Sequence, residues 1–428
     1  MKPGGLSFEQ APPFSVPLRF FLSAPLFALL AALVALWQGA EVFDSRWSPA
    51  TLAATHLLTL GCATMAMAGA TLQIMPVLAG APIAQPRLIA ALVHAGLCLG
   101  TLSLAGGFLF GQPLLLESAA ALLGATFAVF LGAVVASLAR APLANIAIAM
   151  LWLAMISLAT TATLGLWLTA SRGWGIALPA AAMRNLHPAW GLLGWTGLLV
   201  MAVANRVVPM FQMTPAYPLW MTKRLGVAIL ALLAAWSTAK WLDAGPFVLA
   251  GTAALALLYV LFAATTLWLQ QRRLRRQPSP TLSFWRAGMA CVIAAALLWT
   301  GAALLADAPP ALAVLLGVLA IVGAALSLIN GMLYKIAPFL AWFHLQSSGG
   351  AGRQVPHVKH YLSDRMQQRQ LWLHLAALAL MIAAVAWPAV FARAAALLFG
   401  ASALQLFANL VAIAREYRRQ LGLLAAAR

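Results

Sequence analysis

The chain of 428 residues is 64% hydrophobic and only 8% charged, with a formal net charge of +18 and a mean hydropathy of +0.93. A water-soluble globule needs far more charge on its surface, so a soluble domain is excluded and an integral membrane protein is expected. The basic balance does not point to nucleic acid, because no soluble basic domain is present to bind it.

Residues 1–17 form a tail with Lys2, Pro12, Pro13 and Pro17 but no apolar core or cleavage site, unlike a signal peptide. Beyond it, about 20 mostly apolar residues are needed to cross about 30 Å of hydrocarbon. That ruler predicts an all-α protein with twelve transmembrane helices at roughly 18–40, 49–75, 87–110, 114–138, 143–170, 179–210, 224–243, 246–270, 284–306, 310–338, 371–392 and 393–414. They make one membrane domain over residues 18–414, and residues 415–428 form a basic C-terminal tail.

Three segments end alike. Gly61 to Pro76, Gly194 to Pro209 and Gly323 to Pro338 each place glycine fifteen residues before proline. Gly69, Ala202 and Gly331 stand seven before it, and Gln73, Arg206 and Lys335 three before it. Each interval holds about four spans, which predicts a four-span unit used three times, over about 18–138, 143–270 and 284–414. Pro49, Pro179 and Pro309 or Pro310 suit the first turns of the three repeated helices, and Pro76, Pro209 and Pro338 are expected to end them.

Orientation follows from the basic residues. Apart from Arg206 and Lys335, inside spans, the termini and even-numbered loops hold 19 Lys and Arg, against Arg46, Arg172, Arg184, Lys240 and Arg393 in the odd-numbered loops. Both termini are therefore expected in the cytoplasm, as in a bacterial-type inner membrane. The run Arg272, Arg273, Arg275 and Arg276 reads as a loop drawn to anionic lipid.

Chemistry-bearing residues are sparse. Cys62, Cys98 and Cys291 lie in apolar spans and imply no disulfide; Cys62, Met65 and Met67 read as packing more readily than as soft copper ligands. All eight acidic residues fall in tails, loops or span ends, which argues against a carboxylate proton relay. The pattern His357-x-x-His360, in a loop of about thirty residues, reads as a solvated loop more readily than as half of a metal site, because no cysteine or clustered carboxylate accompanies it. His56 and His187 lie seven and eight residues after Pro49 and Pro179, at similar depth on two repeated helices. Each either hydrogen-bonds across a helix interface or ligates a heme or metal through a neutral imidazole. Gln73, Arg206 and Lys335, at matched depth, either snorkel or line a polar cavity holding an anion.

The segment from His187 through Pro188, Trp190, Gly194 and Trp195 to Pro209 resembles the histidine- and Gly-Trp-bearing helix of the heme–copper oxidase subunit I superfamily, notably cytochrome cbb-type oxidases and nitric oxide reductases. His56 to Pro76 is similar to its heme-bearing second helix. The NnrS family of heme- and copper-containing membrane proteins, linked to nitric oxide tolerance, is closer in size, in Arg206 and in the segment from His56 to Gly61. The resemblance implies an oxidase-like fold, a b-type heme walled by Trp190 and Trp195, and a role in electron transfer, nitric oxide response or respiratory-complex maturation. The comparable depth of His56 and His187 makes them the expected ligands, either both across the pocket or His187 alone with an open sixth position. Membrane lipid and other respiratory membrane subunits are the partners it implies.

Departures shape that expectation. Ala189 stands where the family helix has the second histidine that completes its low-spin heme pair. The span near Arg224 to Leu242 has no histidine, so a copper centre and dioxygen reduction are not expected. Any enzyme would be a heme-dependent oxidoreductase. A cofactor-free permease of the same fold for a small anion or metal, or a scaffold subunit, remains the alternative.

Overall fold

The computed structural model describes residues 12–80, 82–141, 146–178, 181–274, 277, 279–305, 307–348 and 356–426. Pro179, Arg275, Arg276 and the first eleven residues of the tail lie outside them. The described chain holds twelve helices long and apolar enough to cross a membrane: Ser15–Gln38, Pro49–Pro76, Pro86–Phe110, Pro113–Leu138, Ile146–Gly173, Met183–Gln212, Leu219–Trp241, Gly245–Gln271, Pro280–Ala303, Pro310–Ser347, Asp364–Ala386 and Pro388–Ala426. They are numbered here as spans one to twelve. Large apolar side chains such as Leu33, Leu99, Leu257 and Leu297 are exposed on their outer faces, as lipid contact requires. The protein is thus an all-α, multi-pass membrane protein.

Helix starts follow the expected chemistry. Pro49 opens the second span with Ser48 as N-cap, whose hydroxyl accepts from the Thr51 amide at 3.1 Å. Pro310 opens the tenth behind Pro309.

The ends correct the sequence reading. The three prolines do not stop their helices, which run on to Ala79, Gln212 and Ser348. A proline removes one hydrogen bond, but the residues beyond it keep theirs, and membrane helices tolerate the break. The true stops after the first two are left-handed residues four positions later, Gly80 at φ 60° and Met213 at φ 54°. The loop before the eleventh span is correspondingly shorter, because that span begins at Asp364. The expected C-terminal tail is also helical, through Ala426, and Arg393 lies inside the last helix rather than in a loop.

Spans two, six and ten share a feature with no sequence forewarning. Each contains a π-helical stretch, Leu57–Thr64, Trp190–Gly197 and Val318–Leu326. Each stretch ends twelve residues before its proline, at Thr64, Gly197 and Leu326, and holds Gly61, Gly194 or Gly323 three residues from that end. π-Helical turns are rare and cluster at functional sites. The stretch in span ten touches those in both span two and span six. Spans two and ten are the most enclosed of the twelve, whereas span six is no more enclosed than spans one, five and twelve.

The same glycines set the packing. A methyl group on Gly61 would lie 2.3 Å from the Phe27 ring, one on Gly194 2.7 Å from Ser157, and one on Gly323 2.7 Å from Cys291. Those partners lie on spans one, five and nine. Seven residues before Phe27 and Cys291, Phe20 and Phe284 pack on Gly69 and Gly331 in the same way. An aromatic ring cannot move aside as a flexible chain end can, so Gly61→Val is expected to cost about 1–3 kcal/mol. Thermal unfolding of the detergent-solubilised variant checks this; a melting curve like that of wild type would show the contact to be loose.

Spans ten to twelve enclose an uncharged polar network. Tyr334 donates to Gln370 Oε1 at 3.2 Å, Gln370 Nε2 donates to Ser402 at 2.9 Å, and Asn409 Nδ2 donates to the Tyr334 hydroxyl at 2.8 Å. All four are buried. In hydrocarbon such groups have no water to fall back on, so they tie the three spans together.

Candidate functional site: a histidine pair between spans two and six

His56 is the last α-helical residue before the π-helical stretch of span two, and His187 stands three residues before that of span six. Their rings face one another with centroids 6.3 Å apart and planes within 17°. The two residues that the sequence placed at similar depth are therefore neighbours.

Each ring is held from behind. His56 Nδ1 lies 2.7 Å from the Leu52 carbonyl one turn earlier, and His187 Nδ1 lies 3.1 Å from the Thr161 carbonyl of span five. A carbonyl only accepts, so both Nδ1 atoms carry the proton and both Nε2 atoms keep a lone pair. No hydrogen-bond partner for either Nε2 occurs among the described residues. Backbone carbonyls fix the tautomer of metal-bound histidines in this way.

Residues that sequence reading missed complete the surround. Gly165 of span five lets the His187 ring lie against its backbone, since a methyl there would come within 2.7 Å of Cε1. Phe108 of span three packs its ring 5.3 Å from that of His56, and the Arg172 guanidinium sits 5.6 Å above the Phe108 ring. The Leu52 bond was readable from helical spacing, whereas Thr161, Gly165, Phe108 and Arg172 come from other spans and carried no local signal.

His56 and His187 are the residues of this site that could hold a cofactor or metal. Were a heme bound here, these two would hold it, each through a neutral imidazole nitrogen, and it would supply one-electron chemistry. A bare ion needs three or four protein ligands. Among the described residues no group of three or more His, Cys, Asp or Glu is placed to hold one. A porphyrin supplies four donors itself, so two protein ligands suffice. Gly165→Ala is expected to displace the His187 ring; if that ring holds a heme, the heme-to-protein ratio by pyridine hemochrome assay falls. A ratio equal to wild type would mean that the ring needs no such clearance.

The remaining predicted residues are distributed differently. The Trp195 indole donates to Thr64 of span two at 3.2 Å, while the Trp190 indole donates to Ser237 of span seven at 2.9 Å, away from span two. Gln73 is buried, Arg206 is exposed, and Lys335 lines a separate cavity described below. His94 bonds Ser23 at 2.8 Å and His374 bonds Ser327 at 2.8 Å, both inside the bundle. His360 lies 3.4 Å from Glu416. Cys62 and Cys291 are buried free thiols, and Cys98 is half-buried.

Comparison with protein-family models gives no match, and no curated protein is similar to the chain. The fold defines the class: a multi-pass membrane protein with twelve candidate spans among the described residues, two of which bring the His56 and His187 rings together.

Proposed function

We propose that the protein is a heme-binding membrane protein of the oxidase-like, NnrS-like kind, with His56 and His187 as the two axial ligands of one b-type heme. The observation that carries this is the pair itself, 6.3 Å between ring centroids, with both Nδ1 atoms committed to backbone carbonyls. Such a heme, held by both histidines, would supply one-electron transfer and would leave no ligand position for a diatomic gas. Electron transfer is thus favoured over direct nitric oxide binding, and a place beside other respiratory membrane subunits suits it. The chain's own part is to hold both imidazoles neutral, to keep water out with Phe108, and to set the positive charge of Arg172 nearby, which suits porphyrin carboxylates.

The same reading takes the chain as one four-span unit used three times. Its support is the common position of the three π-helical stretches and the matched contacts of Gly61, Gly194 and Gly323.

The primary test is an absorption spectrum of the purified protein, expressed with ample heme. A reducible Soret band is expected; its absence sinks the heme reading and leaves the permease. Topology is tested separately by reporter fusions. Fusions after Ser45 and Gly175 are expected outside, and those after Leu274 and the C-terminus in the cytoplasm of an inner membrane. Reversal at any two sites would overturn that orientation.

A further inference from the structure

At the end of the bundle where span six stops and span eleven starts lies a cavity of about 110 Å³. It has room for several waters or one small polyatomic anion. Lys335, Arg273, Asp364, Gln212, Thr281 and Ser279 line it. Among the described lining residues two cations, Lys335 and Arg273, stand beside one carboxylate, Asp364.

Two further groups give the cavity a donor character. Gln212 and Thr281 are buried, and Gln212 Nε2 and Thr281 Oγ1 have no hydrogen-bond partner among the described residues. Gln212 Oε1 already accepts from Gln270 Nε2 at 3.0 Å, so its remaining capacity is a donor. Orphaned donors inside a membrane protein cost free energy unless something accepts from them. Ser279 and Thr281 also belong to the start of span nine, a 24-residue helix whose N-cap side chain makes no capping bond. Its first amides carry the positive end of the helix dipole to the same place.

We infer that this cavity is a binding site for a small oxyanion of the phosphate class, held by Lys335 and Arg273 with hydrogen bonds from Gln212 and Thr281. Several separate donors suit a ligand with several acceptor oxygens better than a simple halide, while Asp364 lowers the affinity for anions by opposing their charge. The inference is independent of the heme reading, since it uses none of the same residues.

The full-length protein in phosphatidylcholine nanodiscs, titrated with inorganic phosphate at constant ionic strength, tests it. Saturable binding is expected, with chloride a poor competitor. Lys335→Met is expected to weaken it about tenfold or more and Asp364→Asn to tighten it, while Lys240→Gln, at the other end of the bundle, leaves it unchanged. Nanodiscs containing phosphatidic acid separate the sources. Loss of phosphate binding there assigns the site to a lipid headgroup, and undiminished binding assigns it to the free anion. If Lys335→Met fails to fold, Thr281→Val and Asp364→Asn carry the test. Absence of saturable binding in phosphatidylcholine, or binding that none of the three substitutions alters, overturns the inference.

Discussion

His56→Ala and His187→Ala are each expected to turn a six-coordinate, low-spin heme spectrum into a five-coordinate, high-spin one, and the double variant to lose the Soret band. Each single change removes one axial nitrogen while the partner ring keeps its own anchor, because Leu52 holds His56 and Thr161 holds His187 separately. Under the proposed ligation the vacated position would open to carbon monoxide, which wild type is expected not to bind. Membrane expression is expected to persist, since alanine in a span costs little. A single variant that keeps the wild-type low-spin spectrum would remove that histidine from the coordination sphere. Two such results would leave the 6.3 Å approach of the rings as ordinary interface packing.

Hydropathy made the twelve spans legible, because membrane crossing imposes a length and an apolarity that sequence displays directly. Span ends were less so. Pro76, Pro209 and Pro338 read as stops, yet the local cost of a proline is one hydrogen bond, and the stops fall where Gly80 and Met213 turn left-handed. The π-helical stretches carried no local signal; each holds a glycine, Gly61, Gly194 or Gly323, against which Phe27, Ser157 or Cys291 of a neighbouring span packs. Of the site, the depth of His56 and His187 could be counted from Pro49 and Pro179. Their mutual approach depends on how spans two and six cross, and their Thr161, Gly165 and Phe108 surround comes from two further spans. The matched triplet Gln73, Arg206 and Lys335 shows the limit of register alone. Equal depth on three helices does not fix which way a side chain faces, and here one is buried, one exposed and one set in a cavity.

Two glutamines in the core are expected to respond to the same substitution with opposite sign. Gln370→Met removes the acceptor of the Tyr334 hydroxyl and the donor to Ser402, leaving both partners buried in a span with no water to replace what they lose. Hydrogen bonds between membrane helices average about 0.6 kcal/mol and reach about 1.7, so losing two should destabilise the bundle by about 1–3 kcal/mol. Gln73 is 4% exposed, and neither its Nε2 nor its Oε1 has a partner among the described residues. Methionine fills nearly the same volume without the unmet polar atoms, so Gln73→Met is expected to be neutral or to stabilise by about 1 kcal/mol. Thermal unfolding of both variants in the same detergent decides the matter. If Gln73→Met destabilises the protein as much as Gln370→Met, the Gln73 amide is held by a bound partner, and the buried face of span two has a polar occupant. If it leaves stability intact while electron transfer to the heme is lost, the amide is kept for function at the expense of packing.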